Sequence, residues 1–225
     1  MSLALFLIFR HATATVDQAD LAHISPMIAD LHGIAAALLM TPAATRDPYL
    51  DDGRPPPLVL QLDFTAIEPL EATLRAPAQA IAAGLPSLAG ADITEQAMLT
   101  RRFPVPDPAT GACTYLVSYE GEAADGNEWL SYYIAHHPPI MARFPAIRAI
   151  EIYTRIDWCS ATGWARETAL QRNKVVFDDP AALTTALNSP IRHEMRADFA
   201  RFPPFHGRNT HFPMHTTAIL PADRA

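Results

Sequence analysis

Histidines are the side chains of this 225-residue sequence that best suit chemistry near neutral pH. His136 and His137 stand side by side before a Pro-Pro pair, and His23 lies in a comparable apolar stretch. An imidazole has an unperturbed pKa of about 6.5, so it can accept and return a proton at neutrality. Alternatively, a histidine at a helix end bonds the last carbonyl groups and interacts with the helix dipole. We predict that structural role for His23 and leave both roles open for His136 and His137.

Three further polar residues alternate along a strand predicted over residues 147–156. Glu151, Tyr153 and Arg155 fall on one face of this strand, and isoleucines fall on the other. The isoleucine face is expected to meet helices, so the polar face should point away from them. There the three side chains would orient a carbonyl, carboxylate or phenol group of a ligand. An ion pair between Glu151 and Arg155 at the exposed end of the strand is the alternative.

The closing strand, predicted over residues 208–220, carries His211 and His215 on one face. Side chains four residues apart on a strand are separated by about 13 Å, so these two imidazoles cannot share one metal ion directly. No carboxylate accompanies them at the spacing of metal ligands. We therefore predict no metal site and expect both histidines at the wall or mouth of a cavity.

Aromatic and acidic residues also occur at helical positions. Trp129 and Tyr133 are predicted to pack in the core or over a cavity. A platform for a ligand is the second interpretation. Asp198 is expected on the solvated face of a helix. The sequence contains no G-x-G-x-x-G stretch, Walker loop or nucleophile elbow. It therefore predicts neither a nucleotide-binding site nor a Ser-His-Asp triad.

Composition narrows the class of protein. The chain is 49% hydrophobic and 18% charged, which is typical of a folded globular protein. Its net charge is −7 and it has no Lys/Arg-rich run, so nucleic acid is not an expected partner. The apolar run Leu3–Phe9 is too short for a membrane span and has the wrong flanks for a signal peptide. Cys113 and Cys159 are expected to be unpaired, as in a cytoplasmic protein.

A repeat at a constant offset of 113 residues determines the predicted architecture. Identical residues recur between 23–77 and 136–190, among them the pairs His23 and His136, and Phe64 and Phe177. Each copy is predicted to run strand, helix, strand, strand, helix, strand. We predict a first repeat over residues 1–103, a Pro-rich linker over 104–111 and a second repeat over 112–225.

The predicted strands lie at 3–9, 34–40, 58–64, 95–103, 115–119, 147–156, 173–177 and 208–220. The predicted helices lie at 17–31, 67–74, 127–144, 181–187 and 190–202, with an interruption or kink in the third at Pro138 and Pro139.

A βαββαβ unit is a ferredoxin-like sheet with both helices on one face, and its other face must be covered. Two copies in one chain cover each other, and strand twist favours their closing into a barrel without free edges. The predicted fold class is therefore α+β, with two ferredoxin-like repeats packed as one barrel. Because the second copy takes the place of a partner, a monomer is favoured, with a weak dimer as the alternative. The apolar first copy and polar second copy predict an asymmetric cavity between the sheets, suited to a small amphipathic or aromatic molecule.

Three stretches of the second half carry a family pattern. They are NEWLSYY (127–133), HHPPI (136–140) and FPAI (144–147), which match a helical Trp/Tyr pair, a His-x-Pro-Leu element and a Pro-Gly turn. In this pattern the chain resembles EthD-like proteins of the dimeric α+β barrel superfamily. Residues 177–183 and 189–203 resemble the later part of that domain, whereas the first half lacks the Trp/Tyr pair. Ala146 stands where the family usually has glycine.

The resemblance implies a small-molecule-binding or auxiliary catabolic protein. If the protein is an enzyme, His136 or His137 would transfer a proton without any cofactor. The candidate ligand-binding residues are His23, Trp129, Tyr133, Glu151, Tyr153, Arg155, His211 and His215. Two alternatives remain open: a barrel that binds or supports without turnover, and a haem-binding barrel.

Overall fold

Eight antiparallel strands form a closed barrel, and helices pack on its outside. The computed structural model describes residues 2–11 and 13–220. The first half contains β1 (Leu3–Arg10), α1 (Gln18–Ala29), β2 (Ile34–Pro42), β3 (Leu58–Phe64), α2 (Ile67–Thr73), α3 (Ala76–Ala83) and β4 (Asp92–Phe103). The second half contains β5 (Cys113–Ala123), α4 (Gly126–Met141), β6 (Ile147–Arg155), β7 (Ala165–Arg166), β8 (Ala169–Phe177), α5 (Pro180–Leu187), α6 (Pro190–Phe199) and β9 (Phe205–Leu220). A 3₁₀ turn, Pro86–Leu88, precedes β4.

The strand order confirms the predicted fold. The first sheet runs β4–β1–β3–β2 and the second runs β9–β5–β8–β6, which is one ferredoxin-like order used twice. Pairing of β2 with β9 and of β4 with β6 joins the two sheets into the barrel. The two-residue strand β7 adds parallel to β4 on the outside of this closed set. Closure leaves the eight main strands paired on both sides, which removes exposed edges.

A β-bulge shifts the side-chain alternation in the second strand of each half. The bulges fall after Ile34 and after Ile147, at equivalent positions. One extra residue moves every later side chain to the opposite face relative to an uninterrupted strand. Ile147 therefore packs towards the helices, while Tyr153 points into the barrel. The prediction that both share one face is wrong for this reason.

Proline positions explain two further differences from the predicted elements. The helix predicted to end before Pro77 is followed directly by α3, which accommodates Pro77 in its first turn, where proline is tolerated. The equivalent helix α6 starts at Pro190, and Pro77 is the residue equivalent to Pro190 at the 113-residue offset. Because a helix was predicted at Pro190, the repeat also predicts α3 at Pro77. By contrast, α4 continues through Pro138 and Pro139 to Met141 as one helix.

Three groups of buried side chains hold the molecule together. One lies between the first sheet and α1–α3, and a second lies between the second sheet and α4–α6. The third fills the barrel. The cysteines are free, Cys113 buried and Cys159 exposed.

Ala146 offers a direct test of backbone strain in the turn before β6. Its φ is 56°, a left-handed value, and the equivalent residue of the first half is Gly33 with φ 72°. A residue with a side chain costs about 1 kcal/mol in the left-handed conformation. Replacing it by glycine recovers only part of this energy, because glycine also makes the unfolded chain more flexible. We expect Ala146→Gly to raise the free energy of unfolding by about 0.5 kcal/mol. Urea denaturation measures this.

The matched control is Gly33→Ala, which places a methyl group 2.7 Å from Pro69 Cβ. This variant should be less stable than the parent protein. A loss of stability in Ala146→Gly would contradict the assignment of strain to that residue.

Candidate active site

The barrel interior, where the sequence predicts a cavity, is filled by side chains. Its apolar residues are Ala4, Phe6, Ile8, Met40, Val59, Met98, Leu116, Tyr153, Phe212 and Met214. Beside them, Lys174 Nζ lies 2.8 Å from Glu151 Oε2 and 3.1 Å from Gln61 Oε1. Tyr153 donates its hydroxyl hydrogen to Glu151. The predicted asymmetric cavity between the sheets is therefore wrong, because its polar wall is engaged in hydrogen bonds within the protein.

Arg155 lies outside this network. Its side chain is 42% exposed, and its guanidinium donates two hydrogen bonds of 2.8 and 3.0 Å to Glu122. The predicted pair between Glu151 and Arg155 is wrong, because Glu151 is held by Lys174 and Arg102 instead. Burial favours the neutral form of Glu151, but Lys174, Tyr153 and Arg102 together outweigh burial, and the pKa of this carboxyl falls to about 2. The polar face of β6 thus stabilises the barrel.

A cavity lies on the other side of the second sheet, between β5, β8 and β9 and the helices α4–α6. Its inner chamber has a volume of about 40 Å³ and mostly apolar walls. A cleft of about 340 Å³ adjoins this chamber. The residues that line both spaces are Tyr119, His137, Arg192, Met195 and His211. These residues form the junction between the chamber and the cleft.

His137 and Asp198 form a buried pair at this junction. His137 projects from α4 and Asp198 from α6, and the side chains are only 6% and 7% exposed. His137 Nδ1 lies 2.6 Å from Asp198 Oδ2, and Tyr132 donates its hydroxyl hydrogen to Asp198 Oδ1 over 3.2 Å. The expectation that Asp198 lies on a solvated helix face is wrong, because α6 turns this residue onto α4.

The pair has a defined distribution of protons. Burial raises the pKa of the Asp198 carboxyl, but the hydrogen bonds from His137 and Tyr132 outweigh burial, so its net pKa is lowered. Burial lowers the pKa of His137, and Asp198 offsets this only in part. At neutral pH an ionised carboxylate therefore accepts Nδ1–H from a neutral imidazole. His137 Nε2, which has no hydrogen-bond partner among the described residues, is left as a proton acceptor.

The other two candidate histidines of this type face solvent. His136 is exposed, stacks on Tyr132 with ring centroids 4.1 Å apart, and bonds the Tyr132 carbonyl through Nδ1 at 2.7 Å. His23 is exposed on α1. Both lie within their helices and not at the ends, so the predicted role as helix-end caps is wrong. Neither lines the chamber or the cleft.

The aromatic residues of α4 lie behind the cavity. Trp129 and Tyr133 are fully buried and stack with ring centroids 5.3 Å apart. Tyr133 accepts a hydrogen bond of 2.7 Å from Asn173 Nδ2, and Asn173 lines the chamber. Trp129 and Tyr133 line neither the chamber nor the cleft. They support the site from behind by packing.

A loop of the first half, residues 43–57, covers the cleft of the second half. Asp47 accepts hydrogen bonds of 2.7 Å from Arg192 and from the Tyr115 hydroxyl. Asp52 accepts bonds of 2.8 Å from the backbone N–H and from Nδ1 of His211, and the hydrogen bond from the His211 side chain is the main reason for its lowered pKa. The loop therefore anchors His211 at the junction, so the site needs both halves of the chain.

His215 lies further along β9 and is exposed. It lines neither the chamber nor the cleft, so the structure places only one of the two predicted β9 histidines at the cavity.

Comparing the two halves at the 113-residue offset identifies residues that sequence reasoning missed. His137 corresponds to Ile24, and Asp198 corresponds to Leu85, both buried in the first half. Asn173 corresponds to Leu60, which is also buried.

Each of these three polar residues thus replaces an apolar residue of the other copy. This exchange is visible in the sequence, and it is the signal that would have identified Asp198 and Asn173.

Two further properties bear on possible functions. Among the described residues, no group of three or more His, Cys, Asp or Glu side chains is placed to hold a metal ion. In the same part of the chain, the helices are all too short or too polar to cross a membrane.

Comparisons with known proteins identify the fold. The sequence matches no protein-family model and no curated protein. A protein of Lactobacillus acidophilus NCFM provisionally described as a monooxygenase has a TM-score of 0.55 at 10% identity, over 98% of this chain and 97% of that chain. An anthrone oxidase-like protein has a TM-score of 0.59 at 11% identity, over 97% and 93%. A chlorite dismutase variant from Candidatus Nitrospira defluvii, in complex with cyanide, has a TM-score of 0.54 at 8% identity, over 97% and 91%.

These likenesses cover nearly the full length of each chain. The protein therefore has the α+β barrel fold of these structures, as the repeat predicts. At such low identity the fold alone is shared, and the chemistry must be argued from the residues of this chain.

Proposed function

We propose that this protein is a cofactor-free enzyme of EthD-like type that removes a proton from a small aromatic molecule with an acidic hydroxyl group. His137 would be the base, and Asp198 would position it. The observation that carries the proposal is the buried hydrogen bond of 2.6 Å between His137 Nδ1 and Asp198 Oδ2, at the junction of the chamber and the cleft.

The proton would move from the ligand hydroxyl to His137 Nε2. Asp198 holds the imidazole in the Nδ1–H tautomer and stabilises the imidazolium that forms, which is the role of a carboxylate behind a catalytic histidine. The apolar walls of the chamber keep water away and strengthen this interaction.

Space and polarity support a small aromatic ligand. The cleft, at about 340 Å³, is near the lower end of the usual range for small-molecule sites, roughly 300 to 1,000 Å³. Tyr119, Met195 and Phe199 offer apolar contacts there, and His137 supplies a polar one. Because the loop of the first half completes this cleft, one chain carries the whole site. We therefore also propose that the protein acts as a monomer.

The EthD-like resemblance of the sequence supports this assignment through α4. The Trp129 and Tyr133 pair packs behind the site, and Ala146 adopts the left-handed turn that the family builds with glycine.

Haem, the alternative cofactor, fits the site poorly. An imidazole whose second nitrogen bonds a carboxylate is a suitable haem ligand. However, the chamber of about 40 Å³ has room for only a few water molecules. A porphyrin would have to displace the packed side chains of α5 and α6. We derive no step through haem.

The proposal can be tested with 4-nitrophenol, whose absorption moves to longer wavelength when its hydroxyl group donates to a base or loses its proton. We expect the dye to bind at pH 6 with such a shift, and His137→Gln to abolish the shift. His136→Gln is the matched control, since His136 is the exposed neighbour, and it should behave as the parent protein.

A shift that survives in His137→Gln would overturn the role of His137. Absence of any binding would favour the alternative of a barrel without turnover.

A further inference from the structure

The chamber contains a buried hydrogen-bonding atom that nothing in the described part of the chain satisfies. Asn173 is 1% exposed, and its Nδ2 donates to the Tyr133 hydroxyl over 2.7 Å. Its Oδ1 has no partner within the described residues. A buried acceptor without a partner costs about 1–3 kcal/mol. The first half avoids this cost, because Leu60 occupies the equivalent position.

The surroundings of Asn173 indicate what would satisfy it. The walls of the chamber are mainly apolar, and its two other cationic or imidazole groups are engaged: Arg192 by Asp47, and His211 by Asp52. No described side chain, including the equally unpartnered amide of Gln171 two residues earlier, donates to Asn173 Oδ1, so a molecule inside the chamber is free to supply the donor. The chamber, at about 40 Å³, has room for a hydroxyl group but not for the ring that carries it. The ring that carries such a hydroxyl would lie at the junction, beside His137.

We infer that the site is built for a dihydroxyaromatic molecule. One hydroxyl group donates to His137 Nε2, and a second hydroxyl group enters the chamber and donates to Asn173 Oδ1. Both of these protein atoms are acceptors, so the ligand that meets them carries two donors. This inference rests on the proposed function, and it makes Asn173 a specificity-determining residue of the same site.

The test compares three phenols that differ only in the group opposite the first hydroxyl: hydroquinone, 4-methoxyphenol and phenol. Their affinities are measured by isothermal titration calorimetry without oxygen, so that hydroquinone stays reduced. We expect the parent protein to bind hydroquinone about tenfold more tightly than either analogue, the value of one neutral hydrogen bond in a buried site. 4-Methoxyphenol keeps the second oxygen but offers no donor, so it should not gain over phenol.

The variant Asn173→Leu installs the residue of the first half. It should lose the preference for hydroquinone while it still binds phenol, and its urea denaturation shows that it folds. Equal affinities for the three probes in the parent protein would overturn the inference and would indicate that only an ordered water meets Asn173. A preference for 4-methoxyphenol over phenol would also overturn it, because Asn173 would then present its N–H₂ group.

The outcomes separate this inference from the proposed function. A dye shift that depends on His137, together with equal affinities for the three phenols, removes the inference alone. A preference for hydroquinone that depends on Asn173, without any dye shift, would reject the role of His137 as a base. The recognition of two hydroxyl groups would then remain.

Discussion

We expect His137→Ile to lower the free energy of unfolding by about 3 kcal/mol, and the addition of Asp198→Leu to restore most of that loss. The single change removes the shorter of the two hydrogen bonds to the buried Asp198 carboxylate and leaves it with Tyr132 as its one side-chain donor. The double change removes both polar groups and installs the apolar pair that the first half has at these positions, Ile24 and Leu85. Replacing a buried pair by well-packed apolar residues is close to neutral, whereas removing one partner is costly.

A double-mutant cycle in urea denaturation measures this coupling. The control pair is His136→Ile with the same Asp198→Leu change, since His136 is exposed and does not contact Asp198 through a hydrogen bond. That pair should show no rescue. Losses that simply add in the His137 and Asp198 pair would mean that the hydrogen bond contributes nothing, and the proposed site would lose its central observation.

The second large effect concerns Asp63 in the barrel. Burial, aided by the charge of Glu151, raises the pKa of this carboxyl from 3.8 to about 6. A carboxyl whose pKa is raised on folding adds stability in its protonated form, and this stability is lost as the pH rises from about 4 through 6. The difference in pKa corresponds to about 3 kcal/mol.

Asp63→Asn cannot ionise, and its amide oxygen can still accept from Gln61, which donates to Asp63 over 2.9 Å. We therefore expect this variant to be about 1 kcal/mol less stable than the parent protein at pH 4, and to exceed its free energy of unfolding by about 2 kcal/mol at pH 8. This value allows about 1 kcal/mol for the additional buried N–H group.

Urea denaturation at a series of pH values between 4 and 8 gives the profile. Asp92→Asn, at an exposed aspartate of β4, is the control. The difference between its free energy of unfolding and that of the parent protein should not change with pH in this way. If Asp63→Asn kept a constant difference from the parent protein across this range, Asp63 would be ionised throughout and its pKa would not be raised.

The repeat explains why so much of the fold could be predicted from the sequence. Identical residues at one offset require equivalent elements, so one recognisable βαββαβ unit predicts the other. The ends of the strands were predicted less accurately. β9 begins at Phe205 and β5 continues to Ala123, beyond the predicted strands. Apart from Phe205, those extensions consist of polar and small residues, and their strand conformation comes from pairing with each other, which local propensity does not show.

The site was predicted less well because the cavity was expected on the barrel side of the second sheet, whereas it lies on the helix side. Polar alternation on β6 suggested a ligand cavity inside the barrel, yet Lys174 from the neighbouring strand satisfies Glu151 there. His137 was among the predicted catalytic residues, but its partner Asp198 lies 61 residues away on another helix. Asn173 was missed, because it stands within the polar run 171–174 of β8, and only comparison with Leu60 of the first half singles it out.

By itself, the sequence determined the duplicated barrel, the pairing of its halves and the presence of a histidine pair on the fourth helix. These features follow from the periodicity of each segment and from the constant offset of the repeat, and both can be read from the sequence without knowing any tertiary contact. Only the tertiary structure decided which histidine is buried, which carboxylate holds it, and that the cavity lies beneath the helices and not within the barrel. Such features depend on side chains far apart in sequence competing for the same buried space, and on whether each buried polar atom finds a partner there.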